Sequence, residues 1–350
     1  MIPSCFSHPN TLSNTSHHQT PQSLITSLYL THLCDSPTHL TLTWSKTLFT
    51  HSVTLFASDS LFSVTISLYP SSPFSFFRNK SVGSKSIYLT RHHYQKIKVY
   101  WDFTRAEFTH NSAEPNSCFH IAIICNARLE FFLGDLPTEL TRQTSLIASR
   151  VVAEPTLLSR REHVFGRNTT YVSRVEFLGS KHEIGIELCN NIGALIVKVD
   201  GKVSLTVKRL AWKFRGNERI FIGGMEVEFF WDVFNWFNNS KGNGNSNNSN
   251  VHGVFIFQVG DGGGVWPEFV GLEKRLMRKS NLLGESQALK PAAMTSLPRT
   301  SSYSSVLQWA EESSDCGRSS CSSSTTTRSS CGSSNNNGGF SLLLYAWSRD

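Results

Sequence analysis

Residues 195–207 read Leu-Ile-Val-Lys-Val-Asp-Gly-Lys-Val-Ser-Leu-Thr-Val, and this stretch sets the pattern for the fold. Apolar and polar side chains alternate on both sides of Asp200-Gly201, and successive residues of a strand point to opposite faces of a sheet. Asp-Gly accepts the positive φ angles that a two-residue hairpin turn requires. The stretch therefore predicts an antiparallel hairpin whose odd-numbered apolar residues share one face: Leu195, Val197, Val199, Val203, Leu205 and Val207.

The apolar pattern changes phase after Val207. Up to that residue the apolar positions are odd-numbered, whereas Leu210, Trp212 and Phe214 are even-numbered. A β-bulge inserts one extra residue into a strand and would return both sets to one face. We therefore predict a bulge near Lys208-Arg209, with Trp212 and Phe214 facing the core.

Similar alternating segments, separated by turn residues, run through residues 27–270, and helical periodicity is hard to find. Gly223-Gly224 predicts a second hairpin turn, and Cys-Asn-Ala-Arg at residues 125–128 predicts a third. Short strands joined in order by tight turns are typical of an antiparallel meander. The predicted fold class is mainly β, one compact antiparallel β-sandwich or barrel-like meander.

Two segments match each other position by position: residues 97–103, Ile-Lys-Val-Tyr-Trp-Asp-Phe, and residues 227–233, Val-Glu-Phe-Phe-Trp-Asp-Val. In both segments the odd-numbered residues are apolar, so each tryptophan should face the interior and each aspartate should point away. Each segment also precedes another apolar strand, which suggests an internal two-fold repeat. Buried indoles remove a large apolar area from water, and four tryptophans are assigned structural roles: Trp44, Trp101, Trp212 and Trp231.

Composition separates a β domain from polar segments. Residues 1–26 have few large apolar groups and predict a disordered tail, whereas residues 27–270 carry the strand pattern. Within that domain, residues 238–250 are mostly Asn, Ser and Gly and predict a flexible loop. Residues 271–339 predict a low-complexity, mostly disordered excursion. Residues 340–347 are too apolar to dangle in water and predict a strand that returns to the sheet.

Length and composition limit the class of protein. The 350 residues are 39% apolar and 17% charged, which permits a packed core, and a formal charge of +7 is mild for a dedicated nucleic-acid binder. The sequence contains no uninterrupted apolar run of about 18 residues, so we predict no membrane span. Residues 1–10 lack the cationic and apolar regions of a signal peptide. The eight cysteines form no Cys-x-x-Cys pair. We therefore expect reduced thiols and an intracellular protein of the cytoplasm or nucleus.

Familiar catalytic and cofactor motifs are missing from the sequence. There is no Gly-x-Ser-x-Gly, and residues 260–264, Gly-Asp-Gly-Gly-Gly, lack the last glycine of a dinucleotide-binding loop. Four ligand-type residues lie within eight positions, but their spacing matches no common metal site: His32, Cys34, Asp35 and His39. The sequence therefore predicts no catalytic residue, no metal and no cofactor.

A charged cluster is the main candidate for chemistry, and it consists of Arg160, Arg161, Glu162 and His163. The guanidinium groups could hold an anion, and an imidazole beside a carboxylate could exchange protons. An ion-pair cluster that anchors a loop explains the same residues, and we favour that interpretation.

A basic stretch from Lys208 to Arg219 interleaves cations with Trp212 and Phe214, a mixture that can follow phosphates and stack on bases. The predicted inward orientation of both aromatic side chains argues against stacking, because a ring in the core cannot also contact a ligand. The binding residues assigned to this stretch are Lys208, Arg209, Lys213 and Arg215.

Two motifs are the most specific: Leu-Ser-Arg-Arg-Glu-His-Val-Phe-Gly at 158–166 and Val-Lys-Arg-Leu-Ala-Trp-Lys-Phe-Arg-Gly-Asn at 207–217. Shorter ones are Leu-Thr-Leu-Thr-Trp at 40–44, Val-Tyr-Trp-Asp at 99–102, Val-Asp-Gly-Lys at 199–202, Phe-Trp-Asp at 230–232 and Leu-Tyr-Ala-Trp at 344–347. On these residues the chain resembles the plant proteins grouped as domain of unknown function 868. The resemblance implies no particular activity, substrate or cofactor. The regions 60–95 and 125–128 depart from the usual pattern.

We expect a noncatalytic binding or scaffold module with a protein partner, because no catalytic constellation is found whereas large sheet surfaces and flexible loops are. Two alternatives stay open. One is a β-sandwich or barrel enzyme or small-ligand binder that uses the Arg160–His163 cluster, and the other is a weak nucleic-acid binder through residues 208–219. A deep pocket on which the cluster converges would favour the first alternative, and a filled interior would favour the scaffold.

Overall fold

The structure is a computed structural model. It describes residues 22–48, 50–57, 62–68, 81–89, 95–109, 112–144, 154–166, 169–177, 179–189, 191–234, 236, 251–259 and 339–348. Residues 1–21 of the predicted tail, the predicted loop at 238–250 and residues 271–338 of the predicted excursion lie outside the described residues.

The first half of the chain forms eight antiparallel strands, paired as two groups of four in chain order. The first group is β1 (Ser23–Leu33), β2 (Ser36–Lys46), β3 (His51–Ala57) and β4 (Phe62–Leu68). The second is β5 (Val82–Tyr88), β6 (Lys96–Asp102), β7 (His120–Cys125) and β8 (Arg128–Gly134). Because Leu24 and Ile25 are buried in β1, the predicted end of the tail at residue 26 is wrong, and the strand begins at Ser23.

The second half repeats this plan after a linking strand, β9 (Thr156–Phe165). One group of four is β10 (Thr170–Phe177), β11 (Ser180–Cys189), β12 (Ala194–Val199) and β13 (Lys202–Val207). The other is β14 (Arg215–Ile222), β15 (Met225–Asp232), β16 (Val251–Val259) and β17 (Phe340–Ser348). The C-terminal segment therefore does return to a sheet.

A nine-stranded sheet joins the two halves, in the order β14-β15-β16-β17-β9-β1-β2-β3-β4. Strand β9 lies near its centre, antiparallel to β1 and parallel to β17. One four-stranded sheet, β5-β6-β7-β8, packs on the first half of this wide sheet, and another, β10-β11-β12-β13, packs on the second. The described strands confirm a mainly β fold of antiparallel sheets, and none of these sheets closes into a barrel.

Each half has its own hydrophobic core, which differs from the single interior of one compact sandwich. Trp44 and Trp101 lie in the first core, and Trp231 lies in the second. Trp44 is fully buried, with the rings of Phe103 and Phe119 set edge-on to it, each at a centroid distance of 5.9 Å. The two cores therefore contain three of the four assigned tryptophans, two in the first core and one in the second.

The internal match between residues 97–103 and 227–233 reflects equivalent strands, β6 and β15. The odd-numbered residues of both segments are buried, as the alternation predicts. In each half a glycine stands opposite the tryptophan on the neighbouring strand, Gly83 opposite Trp101 and Gly216 opposite Trp231. A Cβ atom at these glycines would lie 2.8 Å and 2.2 Å from the indole Cζ2 atoms, so each ring occupies the space of the missing side chain.

The aspartates of the two segments also have equivalent contacts. The Oδ1 atom of Asp102 accepts a hydrogen bond of 2.8 Å from the backbone N–H two residues later, and Oδ1 of Asp232 accepts one of 3.0 Å in the same way. Asp232 also accepts from Arg215, and it is buried on the far side of the strand from Trp231. Strand order, glycine placement and aspartate contacts together support two halves of one plan.

The hairpin turns are found where the sequence places them. Asp200-Gly201 has φ angles of 50° and 77°, and Gly223-Gly224 has 60° and 83°. Asn126 and Ala127 turn between β7 and β8 with φ angles of 49° and 60°. The left-handed conformation is ordinary for glycine but strained for alanine.

The predicted bulge and the predicted orientation of Trp212 are wrong. The register shifts inside the hairpin, between the partners of Val197 and Lys198, so Val203 leaves the inner face and is 59% exposed. After Val207 the chain ends its strand and turns, because Arg209 adopts a φ of 59°. Trp212 then lies outside, 85% exposed.

One helix, α1 (Pro137–Thr144), follows β8 and was not predicted. Proline is favoured at the first helical position because its missing N–H would have no partner inside the helix. Leu140 is the buried residue of the helix and packs against Ala122, Ile124 and Leu129. An eight-residue helix with one buried position gives almost no periodic signal.

Among the described residues, no helix has the length and apolar character needed to span a membrane.

Candidate functional site

Strand β9 carries all four residues of the predicted charged cluster, which therefore lies within a strand and does not anchor a loop. Arg160 and Glu162 point to one face of the sheet, and Arg161 and His163 point to the other, because neighbouring residues of a strand alternate. All four are buried: the exposed fraction is 9% for Arg160 and 5% for Glu162, and 2% for Arg161 and 0% for His163. The cluster is thus two separate pairs.

Arg160 and Glu162 belong to what we call the seam network, which also includes Glu114 and Ser173. Arg160 Nε donates to Glu162 Oε1 at 2.5 Å, and Arg160 Nη1 lies 2.7 Å from Glu114 Oε2. The hydroxyl of Ser173, on β10, donates to the same Glu162 Oε1 at 2.8 Å. Glu114 comes from the connection between β6 and β7, so the network ties residues of both halves to the linking strand.

The charges of the seam network shift the pKa values of its members and of a neighbouring tyrosine. Burial by itself would lower the pKa of Arg160, but the two carboxylates, Glu114 foremost, raise it overall. Burial, followed by the charge of Glu114, raises the pKa of the neighbouring Tyr29. A guanidinium held between two carboxylates has its donors engaged by the protein itself. This arrangement can fix the geometry between the two sandwiches.

On the opposite face of β9, where Arg161 and His163 lie, the imidazole of His163 packs among aromatic side chains. The imidazole of His163 stacks on the ring of Tyr345, with 4.6 Å between centroids and 5° between planes. Phe165 lies on the same face at 6.5 Å from the imidazole. The sheet backbone separates His163 from Glu162, so the geometry does not support the alternative in which these two side chains exchange protons.

The second predicted binding stretch forms what we call the basic loop, residues 208–213. Its shape is fixed by backbone hydrogen bonds: Trp212 N–H and Lys213 N–H both donate to Arg209 O, at 2.9 and 3.0 Å. Leu210 is fully buried and its N–H donates to Gly193 O at 2.7 Å, which anchors the loop. The loop is therefore an ordered support for an exposed indole.

Only part of the predicted basic set is available in this loop. Lys208, Arg209 and Lys213 are exposed and have no ion pair among the described residues. In contrast, Arg215 lies 2.6 Å from Asp232, and Arg219 lies 2.9 Å from Glu226. Three cations therefore share the basic loop with Trp212, and the other two form ion pairs with residues of β15.

The family model described as "Plant protein of unknown function (DUF868)" matches residues 20–348. The chain belongs to this family. The match runs from before β1 to the end of β17, so both sandwiches, the seam network and the basic loop lie within the DUF868 region. No curated protein and no solved structure matches the chain.

One further group in this DUF868 protein could hold a metal ion, and sequence reasoning missed it. Cys34, Cys125 and Glu130 come together in the first half, all buried, with their ligand atoms within 4.8 Å of one another. Of the four ligand-type residues noted between positions 32 and 39, only Cys34 takes part. No spacing rule links residue 34 to residues 125 and 130, because the fold itself brings them together.

Proposed function

We propose that this DUF868 protein is a noncatalytic binding or scaffold module that uses the basic loop as a contact surface for an acidic protein partner. The observation that carries the proposal is the 85% exposure of Trp212 on a loop held by backbone hydrogen bonds. Tryptophan and arginine dominate the energetics of protein interfaces, and a rigid loop loses little entropy on binding. Lys208, Arg209 and Lys213 are exposed cations of the same loop, without an ion pair in the part of the chain that the structure describes, and they favour a partner that carries carboxylates.

The seam network supports a noncatalytic role. An enzyme or ligand-binding site built on the Arg160–His163 cluster would need its side chains to converge on an open pocket. These side chains instead diverge to two faces and are at most 9% exposed. A shallow hollow at the end of the second small sheet is lined by other residues, among them Thr170, Glu187 and Cys189. The burial of these four side chains favours the scaffold over an enzyme that uses this cluster.

Affinity purification and mass spectrometry test the proposal with matched variants. Trp212→Ala removes the indole, and Lys208→Glu with Lys213→Glu reverses two of the three cations. Tyr88→Ala removes another exposed aromatic ring, 62% exposed on β5, and serves as the control. We expect one set of acidic partners to be lost from both loop variants and kept by the control. An identical set of partners for all four proteins would refute the basic loop as the contact surface.

Weak binding of single-stranded nucleic acid is the second candidate, and the exposure of Trp212 is the observation that favours it. Stacking of a base on an aromatic ring contributes about 1–3 kcal/mol, so Trp212→Ala should weaken binding about 5- to 150-fold. Three cations on a single strand predict a log–log salt slope of about −2. Fluorescence anisotropy of a labelled oligoribonucleotide measures both quantities. No binding at low salt would remove this candidate and leave the acidic protein partner.

An intracellular address, in the cytoplasm or nucleus, is part of the same proposal. The four described cysteines, at positions 34, 118, 125 and 189, are free thiols, which supports a reducing compartment. A fluorescent fusion to either terminus, imaged in plant cells, tests this address.

A further inference from the structure

Two hairpin turns of the first half meet at one end of the sandwich. The turn between β1 and β2 carries Cys34 and Asp35, and the strand before the other turn ends at Cys125. The contact is specific: Cys34 N–H donates to Glu130 Oε2 at 2.5 Å, and the Thr31 hydroxyl donates to Glu130 O at 2.9 Å. We call Cys34, Cys125 and Glu130 the hairpin-tip cluster.

The hairpin-tip cluster brings three acidic groups together in a buried place, and no ion pair to them is found among the described residues. The exposed fractions of Cys34, Cys125 and Glu130 are 6%, 1% and 6%. The two thiols hydrogen-bond to each other, and burial raises the pKa of both thiols and of the carboxyl group. Glu130 has no ion pair among the described residues, since the nearby Arg128 lies 3.0 Å from Asp35 instead. A buried carboxyl group normally has a cation partner, and this one has thiols.

Backbone conformation also points to a role for the Cys34 side chain. Cys34 and Asp35 have φ angles of 53° and 64°, the conformation of a two-residue turn that favours Asn, Asp and Gly. Aspartate suits this conformation, but cysteine does not. The turn would form more readily with asparagine or glycine at position 34.

We propose that the hairpin-tip cluster binds one thiophilic divalent cation of the zinc type, through Cys34 Sγ, Cys125 Sγ and a carboxylate oxygen of Glu130. Zn–S bonds of about 2.3 Å at the tetrahedral angle place two sulfurs about 3.8 Å apart, and the three ligand atoms here already lie within 4.8 Å of one another. Two thiolates and a carboxylate select zinc over magnesium or calcium. The fourth position is left to water.

Protons and charge balance without any change of oxidation state. Each thiol forms a sulfur–metal bond and releases its proton to solvent, and a carboxylate oxygen of Glu130 forms the third bond to the metal. The divalent cation then offsets three negative ligands, which leaves one net negative charge beside the Arg128–Asp35 pair. Binding should therefore weaken as the pH falls, because protons compete with the metal for the same atoms.

The test uses the reduced full-length chain, loaded with zinc or cobalt and dialysed. We expect one equivalent of zinc by elemental analysis and, with cobalt, a thiolate-to-metal charge-transfer band in the near ultraviolet. Cys125→Ser should lower the affinity by more than about 100-fold, because loss of a group that merely supports a ligand costs about 10- to 100-fold. Glu130→Gln should lower it about 10-fold or more on the same grounds. Cys189→Ser, a partly buried thiol elsewhere, is the matched control and should change nothing.

Several outcomes overturn the proposal. One is zinc retained in full by Cys125→Ser, which would place the metal on other cysteines of the chain. Another is a folded wild-type chain that takes up neither zinc nor cobalt. If Cys125→Ser fails to fold, the wild-type chain still decides: a chromophoric chelator must compete for one tightly held zinc, and zinc must raise the melting temperature. A Cys34–Cys125 disulfide that forms with peroxide in a chain that binds no zinc would assign the thiols a redox role instead.

Discussion

Replacement of Gly216 by alanine tests the fit between Trp231 and the strand beside it. A Cβ atom at position 216 would lie 2.2 Å from Cζ2 of the indole, whereas ordinary contact begins at 3.4 Å. The ring is 3% exposed and its Nε1–H donates to Lys213 O at 2.9 Å, so it cannot move without breaking packing and a hydrogen bond. Overpacking costs about 1–3 kcal/mol and an unsatisfied buried donor about 1–3 kcal/mol. Together they predict a loss of about 2–6 kcal/mol in the free energy of unfolding.

Urea unfolding followed by circular dichroism measures this loss against a matched control. Gly185→Ala also places alanine in a strand, but its Cβ atom would meet only Lys198 Cβ at 3.5 Å, so we expect no loss or a gain of about 0.5 kcal/mol. In a Trp231→Leu background the Gly216→Ala loss should shrink toward the control value. Equal effects of the two alanines, or an undiminished loss in the leucine background, would refute the reasoning. Gly83→Ala should cost less, because its nearest indole atom lies 2.8 Å away.

Three other perturbations have definite expected outcomes. Ala127→Gly should stabilise the protein by about 1 kcal/mol in urea unfolding, because an alanine φ of 60° is strained and glycine is not. Arg160→Leu should cost about 3–5 kcal/mol by the same assay, since it leaves the buried carboxylate of Glu162 and the partly buried carboxylate of Glu114 without their cation. Burial lowers the pKa of His120, so the folded state binds this proton more weakly than the unfolded chain. Stability should be full above about pH 6.5 and fall as the pH drops through that value, and His120→Gln should flatten this decline.

Local signals predicted much of the fold. The dipeptides Asp200-Gly201 and Gly223-Gly224 predict their turns correctly. The alternation in residues 97–103 and 227–233 predicts that the odd-numbered side chains enter a core, and they do. The division into two cores has no such signal, since it depends on which of the groups of four strands face each other. The same holds for the eight-residue helix α1, whose single buried leucine gives no periodicity.

The errors around Trp212 have a physical cause. A continuous strand with one bulge and a strand followed by a turn give the same shift from odd to even apolar positions. The deciding feature is the left-handed conformation of Arg209, a residue that gives no turn signal. The buried Leu210 anchors the loop after this turn, and Trp212 faces solvent.

The candidate sites could be predicted only in part. Alternation alone would have placed Arg160 with Glu162 and Arg161 with His163, on opposite faces of a strand. The third charged member, Glu114, and the meeting of Cys34 with Cys125 depend on contacts across long stretches of chain. Such contacts follow from the packing of whole sheets, and no local pattern contains them.

The position of β17 has a consequence for how the molecule is made. This strand, residues 340–348, lies between β16 and β9 and closes the gap between the two sandwiches. It nevertheless leaves the ribosome last, after β1–β16 have been synthesised. During synthesis both neighbours wait with open hydrogen-bonding edges, the kind of surface that invites association between nascent chains. In a chain that stops before residue 340, the edges of β16 and β9 stay unpaired permanently. We therefore expect such a chain to aggregate, although it retains strands β1–β16.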